Sequence, residues 1–299
     1  MAKYHPLARE LESLWQGMQD NPETNATFLQ EFAMRLGVKH DELQSEHSNN
    51  GRFGMSKAGG CTRAAALKLL GHQPEPFSGS TKFTFWLGHM CEVAAVASLV
   101  TLGYPVDGTQ SAVAIDPMMH SYSDGIVTYK GVTSILSVKS AAYKMSGKRG
   151  KVWTRRGFAE LPFGGAKKVQ SNWWAQAQAE MHGSDVKNVL LVVVSKDIVK
   201  AFEGDEFLGP TGNGSLTFYC EELPYDKDWC EKNLVPAWEA SWRAVQRGTA
   251  GPALVLNNES LRYMPLQRAS TEVFPNKNAT GTYNSCLYCD FIKVCAEVA

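Results

Sequence analysis

The chain carries no excess charge of either sign: its 299 residues hold 30 Lys and Arg against 30 Asp and Glu. A polyanionic partner must therefore be met by local patches, because no whole-molecule field attracts it. No apolar run approaches the roughly 20 residues that span a bilayer, and the opening from Met1 to Pro6 lacks the apolar core of a signal peptide. Cysteine is sparse; the seven present are an odd number, which fits a reducing compartment better than a disulfide framework. Internal repeats and low-complexity tracts are missing as well. These absences lead us to expect a soluble cytoplasmic protein with one large core and a small appended helical piece.

What is there begins with the cysteines. Cys91, Cys220 and Cys230 are scattered, but Cys286, Cys289 and Cys295 read C-x2-C-x5-C near the end of the chain, and Cys61 lies far upstream. Thiolates at such spacing can converge on one metal centre, with Cys61 as the fourth ligand. The alternative is a chance grouping of free cysteines, which are common in cores.

Apolar periodicity predicts two helices within residues 4–36 and further helices over 61–70, 83–102, 172–182 and 226–246. Residues 40–60 and 73–80 read as loops. Strands are expected over 112–115, 125–129, 133–139, 188–194 and 217–220, and irregular chain from the end of the 226–246 helix to the cysteine tail. The order of elements implies an α/β core with a mixed sheet. We place a helical segment and linker in residues 1–50 and the main domain in residues 51–299.

Between the last two groups of strands lies a basic, glycine-rich stretch that we expect to be a long loop. It carries Lys144, Lys148, Arg149, Lys151, Arg155, Arg156, Lys167 and Lys168, with Trp153, Phe158 and Phe163 interleaved. Cations with aromatics suit phosphate contact and base stacking, although a plain solvated loop has the same composition.

The candidate chemistry sits on successive elements. Glu92 follows Gly88 by one helical turn. Asp124 precedes a strand, and Ser137 and Lys139 project to one face of the next. Gln176 and Glu180 share a helix face. A hard divalent cation takes oxygen ligands, and Glu92 and Asp124 supply two, with water and substrate phosphate for the rest. Lys139 is then placed to orient a nucleophile or neutralise developing charge.

This series resembles the PD-(D/E)XK nuclease superfamily in its RecB-like and lambda-type phage exonuclease branches. The matching positions are Gly88 with Glu92 (His89 being the alternative donor), Asp124, Lys139 and Gln176. The segment from Trp173 to His182, followed by Val189 to Val194, is similar to the phage exonuclease pattern. Cys61-Thr-Arg63 and the C-terminal trio resemble the iron–sulfur members, including the AddB helicase-nuclease subunit and CRISPR-associated RecB-like nucleases. The resemblance implies a restriction-endonuclease-like mixed sheet flanked by helices and closed by a cluster-binding tail. It implies Mg²⁺ or Mn²⁺ at Glu92 and Asp124, and a 4Fe-4S cluster on Cys61, Cys286, Cys289 and Cys295. Four-thiolate zinc remains the alternative.

One position departs from the pattern: Ser137 stands where the superfamily carries a glutamate. Either the carboxylate has migrated, with Glu180 the candidate, or the site works with fewer carboxylates, or it is inactive by nature or by replacement. The resulting expectation is a metal-dependent DNA exonuclease acting on single strands or duplex ends, in phage-type recombination or DNA processing in a bacterial or phage-infected cell. Its partners would be DNA and an annealing protein, a helicase, an integrase or further copies of itself. The rival is an inactive DNA-binding or adaptor protein of the same fold.

Overall fold

The computed structural model describes residues 5–44, 51–108, 112–141, 143–146, 154–196, 217–257, 260–265, 289–291 and 294–295. Helices α1 (Pro6–Gly17) and α2 (Pro22–Gln44) both open on proline, at the turn where a backbone N–H has no intrahelical partner anyway. After the short strand β1 (Phe53–Gly54) come α3 (Thr62–Leu69) and α4 (Gly79–Thr101). Ser78 caps α4 by accepting a hydrogen bond from Thr81 N–H. Strands β2 (Val106–Asp107), β3 (Ala112–Ile115), β4 (Met119–Tyr122), β5 (Gly125–Tyr129) and β6 (Val132–Ala141) follow. Then come β7 (Tyr143–Ser146), β8 (Thr154–Gly157), α5 (Leu161–Val169), α6 (Ser171–His182), β9 (Asn188–Ser195) and β10 (Phe218–Pro224). Helix α7 (Lys227–Trp229) continues through a π-turn at Cys230–Leu234 into α8 (Val235–Gln246), and β11 (Leu254–Asn257) pairs with β12 (Arg262–Pro265).

The main sheet has the order β10-β9-β6-β5-β2. Its central pair, β6 and β9, is parallel from Ile135↔Val189 to Ala141↔Ser195, and the outer pairs are antiparallel. A parallel pair needs a crossover, and α5 and α6 supply it. Alternation along β9 divides the core in two. Val189, Leu191 and Val193 face one cluster, with Trp174, Ala177 and Met181 of α6 and Trp238 of α8. Leu190, Val192 and Val194 face the other, with Leu7 and Leu11 of α1 and Val96 and Leu99 of α4. The result is a helix–sheet–helix sandwich, the expected α/β class.

Four local expectations need correction. Helix α2 runs to Gln44 and so takes up part of the stretch read as a loop. The basic stretch is not one loop: β7 and β8 form a hairpin with Lys144 opposite Arg156, and α5 follows. Met119–Tyr122 is a strand held between β1 and β3, although Met-His-Ser-Tyr has no clean alternation. The tail read as irregular contains the β11–β12 hairpin. Helix α4 is also long and apolar enough, by length and composition, to cross a membrane, contrary to the sequence reading. Its later turns instead bury Val93, Ala95, Val96, Ala97 and Leu99 in the protein core.

Candidate active site

The sheet register brings the carboxylate of β5 to the strand that bears the lysine. Gly125 pairs with Leu136, so Asp124 lies opposite Ser137, and Asp124 Oδ2 accepts a 2.7 Å hydrogen bond from Val138 N–H. Ser137 is buried and Lys139, two residues on, is partly exposed. Helix α4 meets the end of β6 at Gly88, where a Cβ would lie 3.3 Å from Ser140 Oγ. A side chain there would press on Ser140, so glycine lets the helix approach the strand closely. From α6, Gln176 Nε2 donates 2.7 Å to Glu180 Oε1, and Glu180 is only 2% exposed.

These groups share one electrostatic environment. Burial pushes the Asp124 carboxyl up to about 6, and the neighbouring Glu92 charge adds to the rise, against the pull of Lys139, the Val138 N–H and Lys39. Burial likewise pushes Glu180 up to about 7, with Asp124 repelling it and Lys139 and Gln176 opposing the shift. Lys139 thus attracts the carboxylates of both Asp124 and Glu180. Burial also acts on Glu92, but the neighbouring His89 and Lys39 side chains outweigh it and hold its carboxyl below the ordinary value.

Lys39 is the residue that sequence reasoning missed. It projects from α2, donates 2.7 Å to Glu92 Oε1, and is 12% exposed. His89 Nδ1 lies 3.7 Å from Glu92 Oε2, so His89 partners Glu92 as well as being its rival as a ligand. No motif marks Lys39. The signal available was the helical continuation beyond residue 36, which Gly37 and the polar residues after it obscured.

The basic residues divide. Lys148, Arg149 and Lys151 lie outside the described residues, and Lys144, Arg155 and Arg156 occupy the β7–β8 hairpin. Lys167 sits 4.4 Å over the Trp174 ring and 3.4 Å from Asp226, contacts that tie α5 to α6 and to the start of α7. Lys168 is exposed in the last turn of α5. Gly165, inside that helix, has φ 69°, and a Cβ there would meet Glu221 Oε1 at 2.8 Å. Glycine is required for α5 to kink where Ala166 N–H reaches Glu221.

Of the four cysteines, Cys286 lies outside the described residues. Cys61 precedes the first residue of α3, and Cys289 and Cys295 pack at the rim of the α6-side core. Burial, then the neighbouring Cys295, pushes the Cys289 thiol up. The tail is held beside the loop that follows α3 by a 2.9 Å bond from Glu75 N–H to Asp290 O.

Among the described residues, no three His, Cys, Asp or Glu side chains close on one point as a metal cage. The Glu92–Asp124 pair still suits Mg²⁺ or Mn²⁺, since such ions take one or two carboxylates and fill the shell with water and substrate phosphate. The thiol donors suit iron–sulfur or zinc.

No protein-family model and no curated protein matches the sequence. Among solved structures, the chain is similar to the alkaline exonuclease LHK-Exo from Laribacter hongkongensis, at 10% identity and a TM-score of 0.43, over 67% of this chain and 90% of that one. The same enzyme in complex with dAMP matches at 12% identity and 0.42, over 66% and 89%. The crystal structure of SSO0001 matches at 11% identity and 0.38, over 92% and 97%.

Proposed function

We propose that this chain is a Mg²⁺- or Mn²⁺-dependent deoxyribonuclease working from DNA ends, in which Glu180 replaces the carboxylate missing at Ser137. The observation that carries this reading is that Asp124 and Glu180 act electrostatically with Lys139 from different elements, with Gln176 holding Glu180 by a hydrogen bond. A divalent cation on Glu92 and Asp124 would polarise the scissile phosphate and acidify water. Burial pushes Glu180 up to about 7 in the metal-free protein; beside a bound cation it would shift toward the ionised form, ready to take a proton from the attacking water. Lys139 offsets the negative charge that builds on the phosphate. Gln176 orients the Glu180 carboxylate. The basic hairpin and Lys168 follow the DNA backbone.

Within this reading the cysteines are structural: a 4Fe-4S cluster, or zinc in its place, pins the tail to the start of α3. Brown protein with broad visible absorption marks the first and colourless protein the second. The adaptor reading is favoured by a different observation, the Lys39–Glu92 ion pair, which occupies a carboxylate the metal needs.

The deciding experiment is digestion of end-labelled single- and double-stranded DNA by anaerobically purified protein with Mn²⁺, Mg²⁺ or EDTA. Metal-dependent loss of label that disappears in Asp124→Ala and Lys139→Ala supports the nuclease. DNA bound but intact in every metal supports the adaptor.

A further inference from the structure

The first turns of α4 and the loop before it expose four aromatic rings: Phe77, Phe83, Phe85 and Trp86, with 41, 59, 49 and 49% of their surfaces open. Water normally opposes such a display, and exposed rings gathered on one short segment mark a contact surface. The rings are ordered in pairs. Phe83 and Trp86 stack at 21° and 5.8 Å, and Phe77 meets Phe85 edge-on at 86° and 5.1 Å.

Three features of the surroundings select the kind of partner. The chain from Pro76 to Cys91 contains no Asp or Glu, and it carries Lys82. Lys196, arriving from the end of β9, donates to Thr84 O at 3.2 Å and adds a second cation on the same helix. The patch is also continuous with the candidate active site: Phe85, His89 and Glu92 are spaced by four and three residues, one stripe of a helix, and put a ring roughly 10 Å along the axis from Glu92. Flat rings flanked by cations and free of acids suit unpaired nucleobases on a phosphate backbone. A protein partner or a second copy of this chain would find the rings equally apolar, but would have to bring acidic groups to the two lysines, which a phosphate backbone carries at every nucleotide.

We propose that this aromatic group is a stacking platform for the unpaired bases of a single-stranded DNA end, holding the strand so that its phosphates reach Glu92 and Asp124. The inference rests on the nuclease reading for the identity of the strand, yet it is tested without cleavage. Binding of a labelled thymidine oligonucleotide and of an abasic strand of equal length is measured by anisotropy in EDTA, with the full chain and with the Phe83→Ala/Trp86→Ala variant. Stacking is worth roughly 1–3 kcal/mol per base by alanine substitution, so the variant should bind thymidine about tenfold or more weakly. Its affinity for the abasic strand should not change.

Equal thymidine binding by both proteins overturns the proposal. So does an equal loss on both strands, or a change confined to self-association in sedimentation. Should the variant unfold, photo-crosslinking of a 4-thiothymidine strand to the wild-type protein decides: crosslinks on Phe83 or Trp86 support the platform, and their absence overturns it. Failure of the nuclease reading registers separately, as intact DNA in Mn²⁺ with base-dependent binding retained.

Discussion

Lys39 of α2 donates a 2.7 Å hydrogen bond to Glu92 of α4. The ammonium therefore neutralises the carboxylate that is proposed to hold the metal, and metal and lysine compete for the same oxygen. Charge-assisted bonds of this kind contribute about 1.5–3 kcal/mol. Removing the lysine by Lys39→Ala should tighten Mn²⁺ binding on the order of tenfold. Titration of Mn²⁺ followed by electron paramagnetic resonance reads this directly, and unchanged or weaker binding would assign Lys39 to the support of the metal rather than to competition with it.

Glu180 and Ser137 decide how the site is completed. In the migrated arrangement Glu180→Gln keeps the shape and the Gln176 contact but loses the charge. It should lower Mn²⁺-dependent cleavage by orders of magnitude. Ser137→Glu should then lower activity too, because it forces a second carboxylate into a position with 2% exposure. A rise in activity with Ser137→Glu would instead show a site that had lacked its ligand.

The same burial makes a pH prediction. Glu180 is raised from its ordinary 4.5 to about 7, and Asp124 from 3.8 to about 6. Between those values the native state binds more protons than the unfolded chain, so stability falls as pH rises through the window. For Glu180 the loss is on the order of 3 kcal/mol by pH 8. Thermal unfolding in EDTA should give a lower Tm at pH 8 than at pH 5. Glu180→Gln should recover several degrees at pH 8 and change little at pH 5; a wild-type Tm that rises over this range would sink the assignment.

The cysteine tail supplies another. If the thiols hold a cluster, Cys289→Ser and Cys295→Ser should each remove the visible absorption of anaerobically purified protein and lower its Tm. Loss of colour with an unchanged Tm would show that the tail is docked by packing and the Glu75–Asp290 bond alone.

Much of the fold was legible because its signal is local. Val189 to Val194 is a valine- and leucine-rich run, and Asn188–Ser195 is an interior strand beside the middle strand β6. Ser137 and Lys139 are two apart on β6, and two apart on a strand means one face. Other elements escaped because their support is distant. Strand β4 has a mixed sequence and is held by β1 and β3. The β7–β8 hairpin lay hidden in a composition dominated by glycine and charge.

For the site, the sequence by itself determined the order of the chemical groups: Glu92, Asp124, Lys139, Gln176 and Glu180, on successive elements. Spacing within one helix or strand is set by the repeat of the backbone, so such neighbours can be read directly. Only the tertiary structure decided what meets across elements. It put Lys39 on Glu92, some fifty residues away, and brought Lys139 within electrostatic reach of Asp124 and Glu180. It also buried Glu180 deeply enough to raise its proton affinity. Those outcomes depend on the packing of α2, α4 and α6 around β6, and the strength of each charge there is set by how much water the packing leaves.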